Sequence, residues 1–201
     1  MKKFGIFVIK PDAVNKHDLG IIRSVLEENG FGNSICFTIE DYCALMRKYR
    51  EADIIFKQCE NAESEIRGCG VALSAYEQLF PRADGLLLLI PLKDISFKDF
   101  YEKADPIKRE IRKTIEGDRG YYYAFVDYLT EPKLRKMSHE EYKARKEIEK
   151  KNINRAYING IHLEDYECLE SNFCLNFMVQ HGVINKANMV NLDELIDFLE
   201  V

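Results

Sequence analysis

The chain has 201 residues, of which 46% are hydrophobic, and carries a formal net charge of −5 at neutral pH. This length and apolar content predict one folded domain with a substantial core and exclude a wholly disordered chain. The acidic balance argues against nucleic-acid binding over the whole surface. The first apolar run is too short for a signal peptide and no run of about 18 apolar residues follows, so we expect no membrane span and a cytoplasmic protein.

Charge and cysteines are distributed in ways that narrow the class further. Residues 133–155 hold nine Lys and Arg against four Glu, a local charge of +5, which leaves −10 on the remainder. A solvated charged helix is the simplest interpretation of this segment, and a docking surface for a protein partner is the alternative. The six cysteines include no CxxC pair, so we expect buried, reduced thiols.

The first elements along the chain alternate between strand and helix patterns. Residues 4–9 form an apolar run typical of a buried strand. After Lys10-Pro11-Asp12, Asp18 is expected to cap a helix that Gly30 ends. A second strand is predicted over 34–40. A helix over 41–59 should follow, with an apolar face formed by Leu45, Tyr49 and Ile55.

The second half continues the alternation. We expect a helix over 68–80, a buried strand over 85–91, and a helix capped by Ser96, with Pro106 opening a separate helix. The remaining predicted elements are a strand over 121–129, a charged helix with a Ser138–Glu141 capping box, a strand over 155–162, a helix starting at Asp165, and a short helix capped by Asn191. This order predicts an α+β protein with helices packed on a small sheet.

Two distant segments together resemble the nucleoside diphosphate kinases. The first is "IKPDAV" followed by "LGIIRSVLEENGF", similar to the family's first strand, Lys-Pro-Asp turn and glycine-terminated helix. The second is Asn159-Gly160-Ile161-His162 followed by Asp165, similar to the family's Asn-x-x-His segment. Between them, "KADPIKREIR" is similar to its Thr-Asp-Pro stretch. The resemblance implies a ferredoxin-like antiparallel sheet in a single domain over 1–201, with an insertion at about 117–156 that holds a strand and the basic helix.

The resemblance also implies a reaction. His162 would attack the γ-phosphate of a nucleoside triphosphate and pass the phosphoryl group to a nucleoside diphosphate or a related acceptor. A histidine suits this role because its ordinary pKa, near 6.5, leaves one ring nitrogen free at neutral pH. Mg²⁺, brought with the triphosphate, would bridge its β- and γ-oxygens. By the same resemblance, the residues expected to bind the phosphates or ribose are Lys10, Lys98, Arg112 and Asn159.

Further residues follow from the resemblance, and some depart from it. Phe56 is the candidate for stacking on the base, and Glu170 for orienting His162, because Phe173 stands where the family has its glutamate. Ala104 replaces a phosphate-binding threonine, and Glu164 a small serine. A homo-oligomer is expected.

Plainer interpretations stay open. Lys10 can be an ordinary solvated lysine, His162 a structural histidine, and Arg112 an exposed partner of Asp105 or Glu116. At the level of function, the alternatives are a non-catalytic nucleotide-binding protein that acts through a partner, and an unrelated ferredoxin-like domain that binds RNA or a peptide on its sheet. The acidic balance argues against RNA.

Overall fold

The computed structural model describes residues 3–63, 66, 67, 73, 77, 84–115, 138, 140, 141, 144, 161–163 and 171–199. Two compact units divide the chain: the first comprises Met1–Tyr42, Ala83–Ile115 and Asn159–Val201, and the second Cys43–Arg82 and Glu116–Ile158. That the chain is a single domain over 1–201 with an insertion at about 117–156 stays a prediction. Most of the predicted helix over 68–80, the strand over 121–129, residues 155–160 of the predicted last strand and the helix start at Asp165 lie outside the described residues.

Among the described residues, five antiparallel strands form the sheet of the first unit. They are β1 (Lys3–Ile9), β2 (Ile35–Ile39), β3 (Gly85–Leu92), β4 (Ile161–Leu163) and β5 (Met189–Val190). The strand order is β4-β1-β3-β2-β5. The order of the strands β4, β1, β3 and β2 is consistent with a ferredoxin-like kind of fold, and the predicted α+β class is confirmed. The sequence did not predict β5, which is too short for a periodic pattern.

The two longest strands are buried on both sides of the sheet. From Gly5 to Ile9 every residue of β1 is buried, and β3 is buried along almost its whole length. Because successive side chains point to opposite faces, an unbroken buried run means that both faces are covered. Neither strand therefore offers the open face that sheet-bound RNA or peptide would need.

Helix α1 (Lys16–Glu28) begins at a different cap from the predicted one. Asn15 is the N-cap: its Oδ1 accepts the Asp18 N–H at 3.0 Å, and its Nδ2 donates to Asp18 Oδ2 at 2.7 Å. The prediction of Asp18 as cap was wrong because two residues that favour caps lie three apart, and the first of them takes the cap. Gly30, at φ +81°, ends the helix as predicted.

Helix α3 (Phe97–Thr114) is one continuous helix, so the prediction of a separate helix opening at Pro106 was wrong. Its start is the predicted one: Ser96 Oγ accepts the Asp99 N–H at 3.1 Å, and Asp99 Oδ2 accepts the Ser96 N–H at 3.3 Å. Proline inside a helix is unfavourable, and here packing overrides it. Buried residues recur every three or four positions on both sides of Pro106: Phe97, Phe100, Ala104, Ile107 and Ile111.

Contacts along its buried face show how α3 lies on the sheet. The Lys3 ammonium is 5.3 Å from the centre of the Phe97 ring, and the Phe7 and Phe100 ring centres are 5.9 Å apart. A Cβ atom at Gly5 would overlap the Phe100 ring, so glycine is required where the helix crosses the strand. The helix also contacts β4. It therefore starts beside the beginning of β1 and runs in the direction of that strand.

Helix α2 (Tyr42–Phe56) lies in the second unit from Cys43 onward. Leu45 and Tyr49 are buried as predicted, but Ile55 is 72% exposed while Ile54 is fully buried. Cys43 and Ile54 lie on a second buried side of the helix. A prediction that assumes one apolar stripe misses this side.

The second unit also contains an ion pair and a capping box. Arg47 binds Glu77 through two hydrogen bonds, of 2.6 and 2.9 Å. Glu141 donates its N–H to Ser138 Oγ at 3.2 Å and accepts the Ser138 N–H at 2.8 Å. The predicted Ser138–Glu141 capping box is therefore confirmed.

Two further helices complete the described part of the first unit, α4 (Phe173–Gln180) and α5 (Leu192–Phe198). Asn191 caps α5 as predicted, with its Oδ1 accepting the Asp193 N–H at 3.0 Å. Within the ranges that the structure describes, no helix has the length and apolar character to cross a membrane. Three of the four described cysteines are buried, and none of the four forms a disulfide.

Candidate functional site

The Lys10-Pro11-Asp12 segment forms a hydrogen-bonded turn at the end of β1. Lys10 is extended and half-buried, and its carbonyl accepts the Ala13 N–H at 3.0 Å, which closes a 3₁₀ turn over Pro11–Ala13. Proline sets the backbone angle for the first turn residue. Asn15 Nδ2 donates to the Asp12 carbonyl at 3.3 Å and so links the turn to the start of α1. The position of Lys10 is thus fixed on both sides.

The pairing of β1 with β4 brings His162 next to this turn along the backbone. Ile9 pairs with Ile161, and Val8 pairs with His162. Lys10 directly follows β1, two residues beyond Val8, and so lies diagonally across from His162. Such diagonal positions in an antiparallel pair are about 7–8 Å apart. The two segments that carry the family resemblance therefore meet at one end of the sheet.

Arg112 approaches the same end of the sheet. It lies in the last turns of α3, whose axis follows β1 and which also contacts β4. From Phe100, which packs beside Phe7, to Arg112 the helix advances about 18 Å, enough to reach the end of β1. The Arg112 side chain is partly buried, and its Nε atom is fully enclosed. Arg112 is therefore not fully exposed, and the alternative that it pairs with Asp105 or Glu116 stays a prediction.

Lys98 does not lie with these residues. It follows Phe97, which contacts Lys3 at the opposite end of β1, and about 21 Å of helix separates it from Arg112. Its side chain is 67% exposed and its ammonium lies 3.9 Å from Glu102. The expected grouping of Lys98 with Lys10 in one phosphate site is therefore not supported by the structure.

Ala104 shows why the alignment failed in this segment. Its side chain is fully buried within α3, in the row that packs on the sheet. A threonine hydroxyl at this position would face the core and could not reach a ligand. Next to it, Asp105 binds Lys108 at 2.8 Å and Arg109 at 2.6 Å, and these hydrogen bonds hold its pKa below the usual range. "KADP" is thus a stretch of packed helix.

The other predicted site residues are placed only in part. Asn159, Glu164 and Glu170 lie outside the described residues, so their roles stay predictions. Phe173 is the first residue of α4. Phe56 ends α2 in the second unit, with its side chain 45% exposed.

Carboxylates gather at the same end of the sheet, on the side of β2 and β3. Asp84 precedes β3, and Glu40 and Asp41 follow β2, whose Ile39 pairs with Gly85. Partial burial, followed by the charges of Glu40 and Asp41, raises the pKa of Asp84. Because like charges repel, an anion would be favoured on the β1–β4 side, near Lys10, and disfavoured near β2.

A cleft of about 390 Å³ lies at the opposite edge of the sheet, away from these residues. It opens between α1, the start of β2, β5 and α5, and the sequence did not predict it. The short β5 strand left no pattern to recognise, and only the Asn191 cap marked this region. Cys36 lines the cleft, but burial raises its pKa to about 12, so its thiol is not a nucleophile at neutral pH.

No protein-family model, curated protein or solved structure matches this chain. Among the described residues, no group of three or more His, Cys, Asp or Glu side chains is arranged to hold a metal ion.

Proposed function

We propose that the protein is a phosphotransferase of the nucleoside diphosphate kinase kind, with His162 as its nucleophile. The β1–β4 register carries this proposal: it pairs His162 with Val8, two residues from Lys10. The Lys-Pro-Asp turn and the Asn-x-x-His segment are far apart in the sequence, and each alone is a weak signal. Their meeting at one end of an antiparallel sheet supports a shared site.

Two cationic residues at the same end of the sheet as the His162 backbone favour a phosphate ligand there. Lys10 is held at the end of β1 by its turn, and Arg112 reaches the same end on α3. A lysine supplies a compact positive charge, whereas an arginine can donate two parallel hydrogen bonds to phosphate oxygens. The carboxylates of Glu40, Asp41 and Asp84 would direct a triphosphate toward the β4 side.

The proposed reaction has two phosphoryl-transfer steps, first to His162 and then to the acceptor. A ring nitrogen of His162 attacks the γ-phosphorus of a nucleoside triphosphate; the P–N bond forms as the bond to the β-phosphate oxygen breaks, and the diphosphate leaves. A terminal oxygen of the acceptor diphosphate then attacks the phosphorus, and the electrons of the P–N bond return to the imidazole. Such transfers depend mainly on positioning and charge neutralisation.

Magnesium enters this proposal with the substrate. Mg²⁺ binds few protein carboxylates and keeps phosphate and water ligands, so a nucleotide-borne ion needs no dedicated protein cluster. The absence of such a cluster among the described residues is compatible with that form of binding. The ion would neutralise charge on the transferred phosphate.

Phosphorylation from γ-labelled ATP tests the proposal. We expect an acid-labile, base-stable label on the wild-type protein and transfer of that label to added GDP. His162→Ala should lose the label, whereas His17→Ala, which changes an exposed histidine on α1, should keep it. Label retained in His162→Ala would disprove the assignment of the nucleophile.

A non-catalytic nucleotide-binding protein is the second candidate, and one observation favours it. Lys98 lies at the wrong end of α3 and Ala104 is buried in the core, so two positions that the resemblance aligns with phosphate contacts cannot make them. In this case calorimetry would detect ATP binding that Lys10→Ala abolishes, without any labelled protein. A partner bound by residues 133–155 and a homo-oligomer stay predictions.

A further inference from the structure

The cleft at the β5 edge has an apolar floor beside exposed apolar side chains. The apolar residues that line it are Leu26, Phe31, Ile35, Met189, Val190 and Leu192. Met189 is 56% exposed and Ile35 36% exposed, although both belong to strands. Exposed apolar side chains next to a concave surface are typical of protein interaction sites.

An ion pair holds the two walls of the cleft together. The Arg23 guanidinium on α1 binds both carboxylate oxygens of Asp193 on α5 and also donates to Glu27 at 2.9 Å. Two carboxylates therefore neutralise Arg23, and the hydrogen bond to Asp193 raises its pKa. This ion pair joins α1 to α5 across the cleft.

The surroundings of the cleft have an excess of negative charge. The charges of Arg23, Glu27 and Asp193 sum to −1. Glu194 accepts a hydrogen bond from Asn191, which lines the cleft, and α5 contains Asp197 as well and no Lys or Arg. This charge is complementary to a cationic ligand.

The backbone at the cleft favours an extended ligand. Two residue pairs join β5 to β2, Cys36 with Val190 and Phe37 with Met189, so β2 extends one residue past this ladder, to Ile35, where the cleft opens. A strand edge that continues past its partner can accept an added strand. Side chains from one side of such a strand would enter the apolar floor.

We propose that this cleft docks an extended cationic segment of a partner protein, with apolar side chains in the floor and Lys or Arg against the α5 carboxylates. The site is separate from the Lys10–His162 end of the sheet, so it does not depend on the proposed phosphotransferase activity.

Fluorescence anisotropy with a labelled eight-residue peptide that alternates lysine and leucine tests the proposal on the full chain. We expect saturable binding that weakens at high salt. Met189→Ser should weaken it about tenfold by removing an apolar contact, and Glu194→Lys about tenfold by reversing a charge. Glu102→Lys reverses an exposed charge on α3 and should leave binding unchanged.

Four results would overturn the proposal. The first is the absence of peptide binding, and the second is equal binding by wild type, Met189→Ser and Glu194→Lys. The third is equal binding of an octalysine peptide, which would show an unspecific charge effect. The fourth is tight binding of a peptide with the sequence of residues 133–155, together with self-association of wild type that Met189→Ser abolishes; the occupant would then be a second copy of this chain.

Discussion

At the first end of α3, Lys98 is solvated beside the start of β1; at the other end, Arg112 is partly enclosed near the end of β1 and β4. Both residues were expected to bind phosphate. Only Arg112 shares an end of the sheet with Lys10 and with the backbone of His162. A helix of eighteen residues is about 27 Å long, so two residues at its ends cannot serve one small ligand.

The difference shows when the spacing of two residues in the sequence predicts that they lie close together in the structure. Lys10 and His162 are linked by strand pairing, where register relates distant residues tightly. Lys98 was matched through a segment expected to contain a break, and α3 continues through it as one helix. Spacing along the sequence keeps its meaning only if the local structure is the same.

The largest expected effect comes from the contact that sets the position of α3 on β1. Phe100→Ala should lower the free energy of unfolding by about 3–5 kcal/mol, because it leaves a cavity against Phe7 and Phe31. Gly5→Ala should cost about 1–3 kcal/mol, since its Cβ overlaps the Phe100 ring. Urea unfolding measures both.

The double variant is the control for this placement. Removing the Phe100 ring makes room for a Cβ at Gly5, so the combined cost should fall below the sum of the single costs. Strict additivity would mean that the two residues do not touch, and the alignment of α3 with β1 would then be incorrect.

Substitutions at the two ends of α3 should differ in their effect on nucleotide binding. Arg112→Ala should weaken ATP binding about 10- to 100-fold, the range expected for a charge-assisted hydrogen bond of about 1.5–3 kcal/mol, and Arg112→Lys should restore only part of it. Lys98→Ala should change it less than twofold. Calorimetry measures each constant, and equal losses for both alanine variants would reverse the comparison.

Much of the fold follows from the sequence where a pattern has a single solution. The runs of β1 and β3 are apolar at consecutive positions and were predicted almost to the residue. The cap of α1 was misplaced because Asn15 and Asp18 compete for it. One helix was predicted as two because a proline usually starts or ends a helix, and the energy of packing five buried side chains along α3 does not appear in local propensities.

The candidate site was predictable to the extent that it depends on two strands. Lys10 and His162 come together through pairing that the order of elements favours. The cleft was not predictable, because it depends on a two-residue strand and on an ion pair between Arg23 and Asp193, which are distant in the sequence. Contacts of this kind leave no periodic signal.

The Ser96 cap sharpens the comparison at the solvated end of α3. Ser96→Ala should lower the free energy of unfolding by about 1 kcal/mol, and Ser96→Thr should keep most of the stability. Hydrogen bonds from the Ser96 hydroxyl and N–H lower the pKa of Asp99, and the alanine variant should move it back toward its ordinary value in an NMR titration. An unchanged Asp99 titration would show that the Ser96 hydroxyl does not donate to the Asp99 carboxylate.

Asp84, at the Lys10 end, should show the smallest effect and the opposite sign. Burial and the charges of Glu40 and Asp41 raise its folded pKa above the ordinary 3.8, so the unfolded state loses the proton more readily. The stability that the protonated carboxyl provides is present below about pH 3.8 and is lost as the pH rises through the folded pKa. Asp84→Asn should therefore be more stable than wild type at pH 7, by less than about 1 kcal/mol because the group is largely exposed, and should match it at pH 3. Urea unfolding at both pH values measures the difference, which high salt should reduce. A variant that is equally stabilised at pH 3 would show that the effect is not one of charge.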